Sequence, residues 1–392
     1  MRILVLNYEY PPLGGGGGVA CQKLSEEYVR QGHIVECVTT QYGNLAAREV
    51  RNGVLIHRIK IIGKRTMSSS GMLSLFSFPV CAYRYTVKLC RRYKFDCIHT
   101  HFSVPTGPLG VWISKRFNIP NVLSLHGGDV YDPTKKFSPH KWSVFRKCNE
   151  WVFNNTDYIV AQSNMTREKG QMYYSFNKDI DVIPLAHNEI TFEACDRKQL
   201  GLCEDKKYII SVGRLVKRKG FKFLIKAMQY IDDADLIIIG DGPELETLEN
   251  LIDELGLGDR IILTGAKYND EKFQYLMNSD VFVLSSIYEP FGIVLQEAMQ
   301  VGLPIISTCD GGQKDLIEDG INGLLLDYGD EKHLVECVNF VLHNSQVAYR
   351  MKEQNLMKIK NYSADEIAGR YLKIFERLVL NGNEDGQLNN SG

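Results

Sequence analysis

Short apolar runs of strand length alternate with segments of helix length along this chain, and the alternation occurs twice. Seven such runs lie in the first half, from "RILVLN" to "DVIP", and six lie in the second half, from "YIISVGR" to "GLLLD". Runs of this length, separated by enough residues for a helix, are typical of parallel sheets with crossover helices. Two successive sets therefore predict an α/β protein of two doubly wound, Rossmann-like domains.

The chain has 392 residues, more than a single hydrophobic core usually organises. We place the domain boundary near Pro184, where a strand ends and a loop begins, which gives domains at residues 1–184 and 185–362. Residues 363–380 have the pattern of a terminal helix that no strand follows, and we expect it to pack back on the first domain. The tail at residues 381–392 is polar and rich in Gly and Asn, so we expect it to be disordered.

The composition excludes several classes of protein. No run of about eighteen apolar residues occurs, so the sequence predicts no membrane-spanning helix. The first ten residues read as a strand, and their apolar run is too short for a signal peptide. The ten Cys residues show neither CxxC nor paired metal-ligand spacing, which indicates reduced thiols in a cytoplasmic protein. We expect no nucleic-acid partner.

Charge is divided unevenly between the two halves of the chain. Residues 1–185 hold 24 Lys and Arg against 13 Asp and Glu, and the remainder holds 22 against 34. The segment 50–95 contains ten basic residues and no acidic residue, together with many aromatic and aliphatic side chains. This composition suits an amphipathic surface that meets anionic lipid or an anionic substrate. A solvated helix whose apolar stripe packs on the sheet would have the same composition.

The stretch "EPFGIVLQE" places two carboxylates, Glu289 and Glu297, around the predicted start of a helix. The Pro at its second position suits the first residue of that helix. The free amides of Phe291, Gly292 and Ile293 lie between the carboxylates and favour an anion. A ligand with a phosphate in its middle and hydroxyls at each end would satisfy all three features. A capping Glu followed by an exposed Glu on an ordinary crossover helix is the alternative.

Five consecutive glycines, Gly14 to Gly18, follow the first predicted strand and precede a helix. Without Cβ atoms, this backbone can be approached closely, and the helix N-terminus behind it favours negative charge. The turn could bind a dinucleotide, but the second strand ends in "VTTQYGN" and lacks the acidic residue that holds an NAD ribose. A mobile loop without a binding role is the alternative.

Polar residues follow two other predicted strands. In "SVGRLVKRKG", Arg214 comes directly after the strand and Lys219 opens the next helix, a placement that suits a clamp for a diphosphate. In "LSLHGGDV", His126 ends the strand and is followed by two glycines. A lone histidine at such a position is more often structural than catalytic.

Taken together, these residues resemble the retaining glycosyltransferases of family 4, and the resemblance covers nearly the whole chain. It rests on the Glu-x7-Glu element with its "EPFG" start, "VGRL" followed by "KG", "GDGPE", "LTG" and "EAMQVGLPIIST". The resemblance implies the GT-B architecture, in which two Rossmann-like domains face a central cleft.

The resemblance also implies roles for individual residues. Glu289 would contact hydroxyls of the transferred sugar, Glu297 would hold the nucleotide ribose, and His126 would be the active-site histidine. Arg214 and Lys219 would neutralise the diphosphate. The remaining donor-binding positions would be Phe291, the amides of Gly292, Ile293 and Val294, the loop at Lys267 beside the base, and Gly17 and Gly18 from the other domain.

The implied reaction is transfer of a hexosyl unit from a nucleotide-diphosphate sugar to an acceptor hydroxyl, with the anomeric configuration retained and no metal or other cofactor. The acceptor would be a glycan or a lipid-linked molecule in polysaccharide or glycolipid synthesis. The basic segment 50–95 would place the enzyme at the inner face of the plasma membrane. An NAD-linked oxidoreductase and a noncatalytic protein of the same architecture that binds sugar nucleotides are the alternatives.

Overall fold

The computed structural model describes residues 1–63, 72–135, 137–187, 193 and 195–388, of which residues 72 and 382–388 are described by their backbone alone. Part of the basic segment, residues 64–71, lies outside the described residues, as do residues 188–192 and 194 of the predicted interdomain loop. The chain divides into two compact units. Unit 1 comprises Met1–Ala186 with Ala364–Gly392, and unit 2 comprises His187–Ser363.

Unit 1 is built on an eight-stranded sheet with the order β3-β4-β2-β1-β5-β6-β7-β8, parallel throughout except for β3, which is antiparallel to β4. Its strands are β1 (Arg2–Asn7), β2 (Ile34–Thr40), β3 (Arg48–Arg51), β4 (Val54–Ile59), β5 (Cys97–His101), β6 (Asn121–Leu125), β7 (Tyr158–Ala161) and β8 (Ile180–Val182). The helices between them are α1 (Gly16–Arg30), α2 (Met72–Arg92), α3 (Gly107–Phe117), α4 (Ser143–Asn155) and α5 (Asn164–Tyr173).

The central strand β1 shows why its sequence is apolar without interruption. Ile3 and Val5 belong to the core on one face of the sheet, and Leu4 and Leu6 belong to the core on the other face. Successive side chains of a strand point to opposite faces. Because helices cover both faces, the residues from Ile3 to Leu6 are fully buried, as is usual for parallel sheets.

Unit 2 contains a six-stranded parallel sheet with the order β11-β10-β9-β12-β13-β14. Its strands are β9 (Lys207–Val212), β10 (Ala234–Ile239), β11 (Ile261–Leu263), β12 (Val281–Leu284), β13 (Ile305–Thr308) and β14 (Gly323–Leu326). Its helices are α6 (Phe221–Ala227), α7 (Leu245–Glu254), α8 (Asn269–Met277), α9 (Ile293–Gln300), α10 (Gln313–Leu316), α11 (Glu331–His343) and α12 (Ser345–Lys358).

The last helix, α13 (Ala364–Leu388), belongs to unit 1. Phe375 packs edge-on against Tyr28 of α1 at 5.8 Å, and Tyr371 lies 4.7 Å from the ring of His99. The sequence predicts disorder from residue 381, but the helix continues to Leu388. Extending an existing helix avoids the cost of nucleation, so poor helix formers can be included at its end. Residues 389–392 lie outside the described residues.

The strand order reverses once in each sheet. In unit 1 the reversal lies between β1 and β5, and in unit 2 it lies between β9 and β12. Loops that leave the carboxyl ends of such strands diverge to opposite faces and leave a crevice, where α/β proteins commonly bind ligands. Within the described residues, no helix is long and apolar enough to cross a membrane.

Candidate active site

Glu289 lies in the loop after β12 and is fixed by its own backbone. Its N–H donates to the carbonyl of Asp310 at 3.2 Å, and its carbonyl accepts from the N–H of Gly312 at 2.7 Å. Both partners belong to the loop after β13. The two loops therefore hold each other at the carboxyl edge of the sheet, and the Glu289 side chain starts from a defined position.

The carboxylate of Glu289 pairs with two cations from the loop after β9. Lys219 Nζ lies 2.5 Å from Glu289 Oε2, and Arg218 Nη1 lies 3.9 Å from Oε1. Burial raises the pKa of the Glu289 carboxyl, but both cations and hydrogen bonds from Lys219 and Ser286 outweigh it, so the pKa falls below 4.5. Glu289 is therefore ionised at neutral pH. The pair joins the loops on the two sides of the strand-order reversal.

Arg214 lies two residues beyond the end of β9 and has a different environment from Lys219. Its side chain is exposed, and the described part of the chain gives it no ion pair and no side-chain hydrogen bond. Arg218, by contrast, is tied to the backbone because it donates to the carbonyl of Tyr288 at 2.7 Å. The structure thus places one largely buried, paired cation and one exposed cation at the same strand end.

Helix α9 begins at Ile293, three residues later than the sequence predicts for its first position at Pro290. Gly292 is the reason, because it caps the helix with a φ of +104°, a conformation that residues with a side chain rarely adopt. Phe291 is buried, while Ile293 and Val294 are half-buried. The first amides of a helix have no partner within it, so those that follow Gly292 can receive an anion.

Glu297 lies on the second turn of α9 and is 6% exposed. Its Oε1 accepts from Lys272 Nζ of α8 at 2.6 Å, whereas its buried Oε2 has no hydrogen-bond partner among the described residues. A buried acceptor without a donor is costly, so a hydroxyl donor from a ligand would be favoured there. The sequence does not single out Lys272, because nothing in "NDEKFQYLM" distinguishes it from a solvated lysine.

Lys267 lies between β11 and α8, in the loop where the resemblance places the nucleotide base. Its side chain is partly exposed and forms a 3.9 Å ion pair with Glu271, one helical turn further on. Such a pair at the surface contributes little to stability.

The glycine run in unit 1 is divided between a turn and a helix. Helix α1 begins at Gly16, so Gly17 and Gly18 are helical. A Cβ on Gly17 would lie 2.4 Å from the Phe102 ring, at the end of β5, which explains the need for glycine. The N–H of Gly15, at the N-cap, donates to Glu9 Oε2 at 3.1 Å. An acidic side chain of the chain itself thus contacts the turn, which sequence reasoning missed.

His126 follows β6 and is 9% exposed. Its Nε2 lies 3.0 Å from His101 Nδ1, and its Nδ1 is buried without a hydrogen-bond partner among the described residues. Burial, with the charge of His101 as a second cause, lowers the pKa of His126 well below 6.5. The imidazole is therefore neutral at neutral pH and can take part in hydrogen bonds without carrying charge.

Behind His126, the histidines of "HTH" share one face of β5, as residues two apart on a strand do. The rings of His99 and His101 lie 4.1 Å apart. His99 is held between the Tyr28 hydroxyl at 3.3 Å and Ser124 Oγ at 2.8 Å, which makes it a structural residue. Among the described residues, no group of three or more His, Cys, Asp or Glu side chains is arranged to hold a metal ion.

Comparison with known proteins gives matches to both parts of the chain. The family described as glycosyltransferase family 4 matches residues 14–188, and the family described as glycosyl transferases group 1 matches residues 193–357. An uncharacterized glycosyltransferase of Methanocaldococcus jannaschii is 29% identical, covering 96% of this chain and 98% of the relative. N-acetyl-alpha-D-glucosaminyl L-malate synthase of Bacillus anthracis is 25% identical, covering 97% of this chain and 98% of the relative.

Among solved structures, sucrose-phosphate synthase of Thermosynechococcus elongatus has a TM-score of 0.85 at 22% identity, covering 96% of this chain and 98% of that one. HepE of Anabaena, solved with UDP-glucose, has a TM-score of 0.75 at 20% identity, covering 96% of this chain and all of that one. These similarities show the fold. With the two family matches, which together span most of the sequence, they show that the chain belongs to the family 4 glycosyltransferases and has the GT-B fold.

Proposed function

We propose that this glycosyltransferase moves a hexosyl unit from a nucleotide-diphosphate sugar to an acceptor hydroxyl and retains the anomeric configuration. The observation that carries the proposal is the largely buried Lys219–Glu289 pair at the strand-order reversal of unit 2, with exposed Arg214 on the same loop. This arrangement brings together a carboxylate that can accept hydrogen bonds from sugar hydroxyls and cations that can bind a diphosphate. HepE, which shares the fold, was solved with UDP and with UDP-glucose, and this supports a donor of that class.

The proposed donor contacts follow from the hydrogen-bonding capacity of each group. Glu289 is ionised, so it accepts bonds from sugar hydroxyls. Lys219 has three donors on its ammonium and can bond to Glu289 and a phosphate oxygen at once, while Arg214 meets the diphosphate with its open guanidinium. The amides after Gly292 complete the phosphate contacts. These charges stabilise the leaving diphosphate electrostatically, which is why we propose that no metal is needed.

Other contacts complete the proposed site. Glu297 would accept from a ribose hydroxyl through Oε2, and the loop at Lys267 would meet the base through its backbone. Gly17, Gly18 and neutral His126 are the contributions that we assign to unit 1.

Retention is proposed to follow a front-face route. The bond between the anomeric carbon and the leaving phosphate oxygen breaks, the acceptor oxygen bonds to that carbon from the same face, and the leaving phosphate takes the acceptor proton. Glu289 is a poor candidate for a covalent nucleophile because Lys219 and Arg218 already engage its carboxylate. A carboxylate whose charge is held by two cations is less nucleophilic than a free one.

A panel of nucleotide sugars tests the proposal. A donor at about 100 times its dissociation constant stabilises a protein by about 2.7 kcal/mol, so one member should raise the melting temperature and then serve in a transfer assay. We expect activity to persist in EDTA and the product to keep the anomeric configuration of the donor, as measured by NMR.

Each alternative predicts a different experimental result. Loss of activity in EDTA with recovery in Mn²⁺ would contradict the metal-free mechanism. Tight NADH binding with hydride transfer would identify an oxidoreductase, and donor binding without turnover would identify a noncatalytic protein.

For the acceptor, we propose a glycan or lipid-linked molecule reached at the inner face of the plasma membrane, with helix α2 as the contact surface. Leu73, Phe76 and Val80 lie along one stripe of this helix and are 59%, 51% and 64% exposed. They are followed by four exposed basic side chains, Arg84, Lys88, Arg91 and Arg92. Alpha-monoglucosyldiacylglycerol synthase of Acholeplasma laidlawii, a glycolipid enzyme by name, is 26% identical over 97% of both chains.

Not every aromatic residue of the segment is available for such a surface. Phe78 is fully buried and packs edge-on against Tyr8 at 5.5 Å. Tyr85 is 36% exposed, but its hydroxyl is held by His57 Nδ1 at 2.8 Å. The apolar contact is therefore assigned to the stripe of Leu73, Phe76 and Val80.

Sedimentation with liposomes tests this surface. Binding should rise with the fraction of anionic lipid and fall with salt, because each Lys or Arg near an anionic membrane contributes about 1 kcal/mol and is screened over about 8 Å. Arg91→Glu with Arg92→Glu should reduce binding strongly. The exposed pair Lys222→Glu with Lys226→Glu on α6 is the control of equal charge. Equal partitioning onto neutral and anionic vesicles would contradict the proposed membrane contact and show that the basic face of α2 is only solvated.

A further inference from the structure

A cavity of about 690 Å³ lies at the edge of the unit 1 sheet, between β8, α5 and α13. Four cationic side chains line it, with one carboxylate among them. The lining cations are Arg167 of α5 and Arg370, Lys373 and Arg377 of α13. Tyr158, Asp181, Val182, Ile183 and Ile374 complete the wall. The cavity lies within unit 1, beside β7 and β8. The strand-order reversal of this sheet lies elsewhere, between β1 and β5.

The helix spacing explains how one face of α13 presents three cations. Arg370, Lys373 and Arg377 are three and four residues apart, so they lie on the same face. The neighbouring residues Tyr371 and Phe375 point into the core and fix the rotation of the helix. Like charges at this spacing repel one another, so the arrangement costs stability unless an anion lies between them.

The one carboxylate in the cavity offsets only part of the charge of these cations. Asp181 accepts a hydrogen bond from the Tyr158 hydroxyl, and no described carboxylate forms an ion pair with any of the four cations. Arg370 donates to the backbone carbonyl of Val182 at 2.7 Å, which fixes its guanidinium beside β8. The Arg377 guanidinium lies 5.0 Å from the centre of the Tyr158 ring. The cavity therefore carries an excess of positive charge on partly anchored side chains.

We propose that this cavity binds a small soluble anion that carries phosphate. Its volume falls within the range of about 300–1,000 Å³ that small-molecule sites occupy. Three guanidinium groups provide the planar pairs of donors that match phosphate oxygens, and the lysine adds a point charge. Ile183 and Ile374 supply an apolar part of the wall, which suits the carbon skeleton of a phosphate ester. No residue that lines the cavity is among those that we assign to the donor site.

Titration calorimetry with inorganic pyrophosphate tests the proposal. The titration uses the Arg214→Ala background, because pyrophosphate would also be drawn to the proposed diphosphate cations of unit 2. We expect saturable binding that weakens with added NaCl, and the part of it that belongs to the cavity is identified by its loss in the cavity variant. Lys373→Glu with Arg377→Glu should lower the affinity by at least about tenfold, which corresponds to about 1.4 kcal/mol. Both side chains are exposed, so the fold should survive their replacement.

A control of equal charge is Arg350→Glu with Lys360→Glu, two exposed positions of unit 2. It should change the affinity far less than the cavity substitutions do. The proposal is wrong if millimolar pyrophosphate gives no binding, or if the cavity and control variants bind it as tightly as the Arg214→Ala parent. It is also wrong if the cavity substitutions alter only sedimentation with phosphatidylglycerol vesicles, since the cavity would then meet lipid headgroups rather than a soluble anion.

Discussion

Lys219→Ala is expected to lose both turnover and stability, whereas Arg214→Ala loses turnover alone. Each removes a cation that we assign to the leaving diphosphate, and loss of one electrostatic donor of this kind typically lowers kcat by about 10²–10³-fold. Only Lys219 is also half of a buried pair, with side chains 11% and 10% exposed for Lys219 and Glu289. Breaking such a pair costs about 3–5 kcal/mol, and Arg218 at 3.9 Å should keep the loss near the lower end.

Thermal melting and steady-state kinetics on the two variants separate these effects. Arg214 is exposed, so its replacement should change stability by no more than about 0.5 kcal/mol. Lys217→Ala, an exposed lysine of the same turn, is the matched control and should keep both properties. Full turnover in either variant would show that the replaced residue does not bind the leaving diphosphate. A wild-type melting temperature for Lys219→Ala would mean that the pair adds no net stability.

Glu297→Gln is expected to weaken the binding of a nucleoside diphosphate by about 1.5–3 kcal/mol, the range for hydrogen bonds to a charged group. The physical reason is the state of its two oxygens, since Lys272 occupies Oε1 and Oε2 is buried without a donor. A neutral amide keeps the shape of the side chain but offers a weaker acceptor for a ribose hydroxyl.

Calorimetry with UDP measures this change, and Glu249→Gln on the exposed face of α7 is its control. Because Lys272 loses its charged partner, the Glu297→Gln protein should also melt below the control. Unchanged UDP affinity together with a lowered melting temperature would show that Glu297 serves the structure and not the ribose.

The sequence predicts the strands well because its apolar runs are buried on both faces, as β1 illustrates. It also predicts which residues follow a strand, and hence that Arg214, Lys219 and Glu289 lie at one sheet edge. It does not predict which cation turns inward. The Lys219–Glu289 contact joins residues 70 apart, and Lys272–Glu297 joins residues 25 apart on different helices. Such choices depend on loop conformation, which local patterns do not encode.

The start of α9 and the exposure of α2 show the same limit. Pro290 fits a first helical position, but the left-handed conformation of Gly292 delays the helix. Phe78 and Phe76 are both aromatic and two residues apart, yet the first is buried and the second is half exposed. Periodicity defines an apolar face without stating how far the rest of the fold covers it.

The hydrogen bond from the Gly15 N–H to Glu9 means that the glycine turn is occupied by a carboxylate before any ligand arrives. An anion that binds at this turn must exchange with that carboxylate and not simply with water. Its measured affinity is then a difference between two competing anions, and the displaced Glu9 side chain must find new solvation elsewhere. The chain thus carries its own competitor at the start of α1, which lowers the affinity of the turn for any phosphate that reaches it.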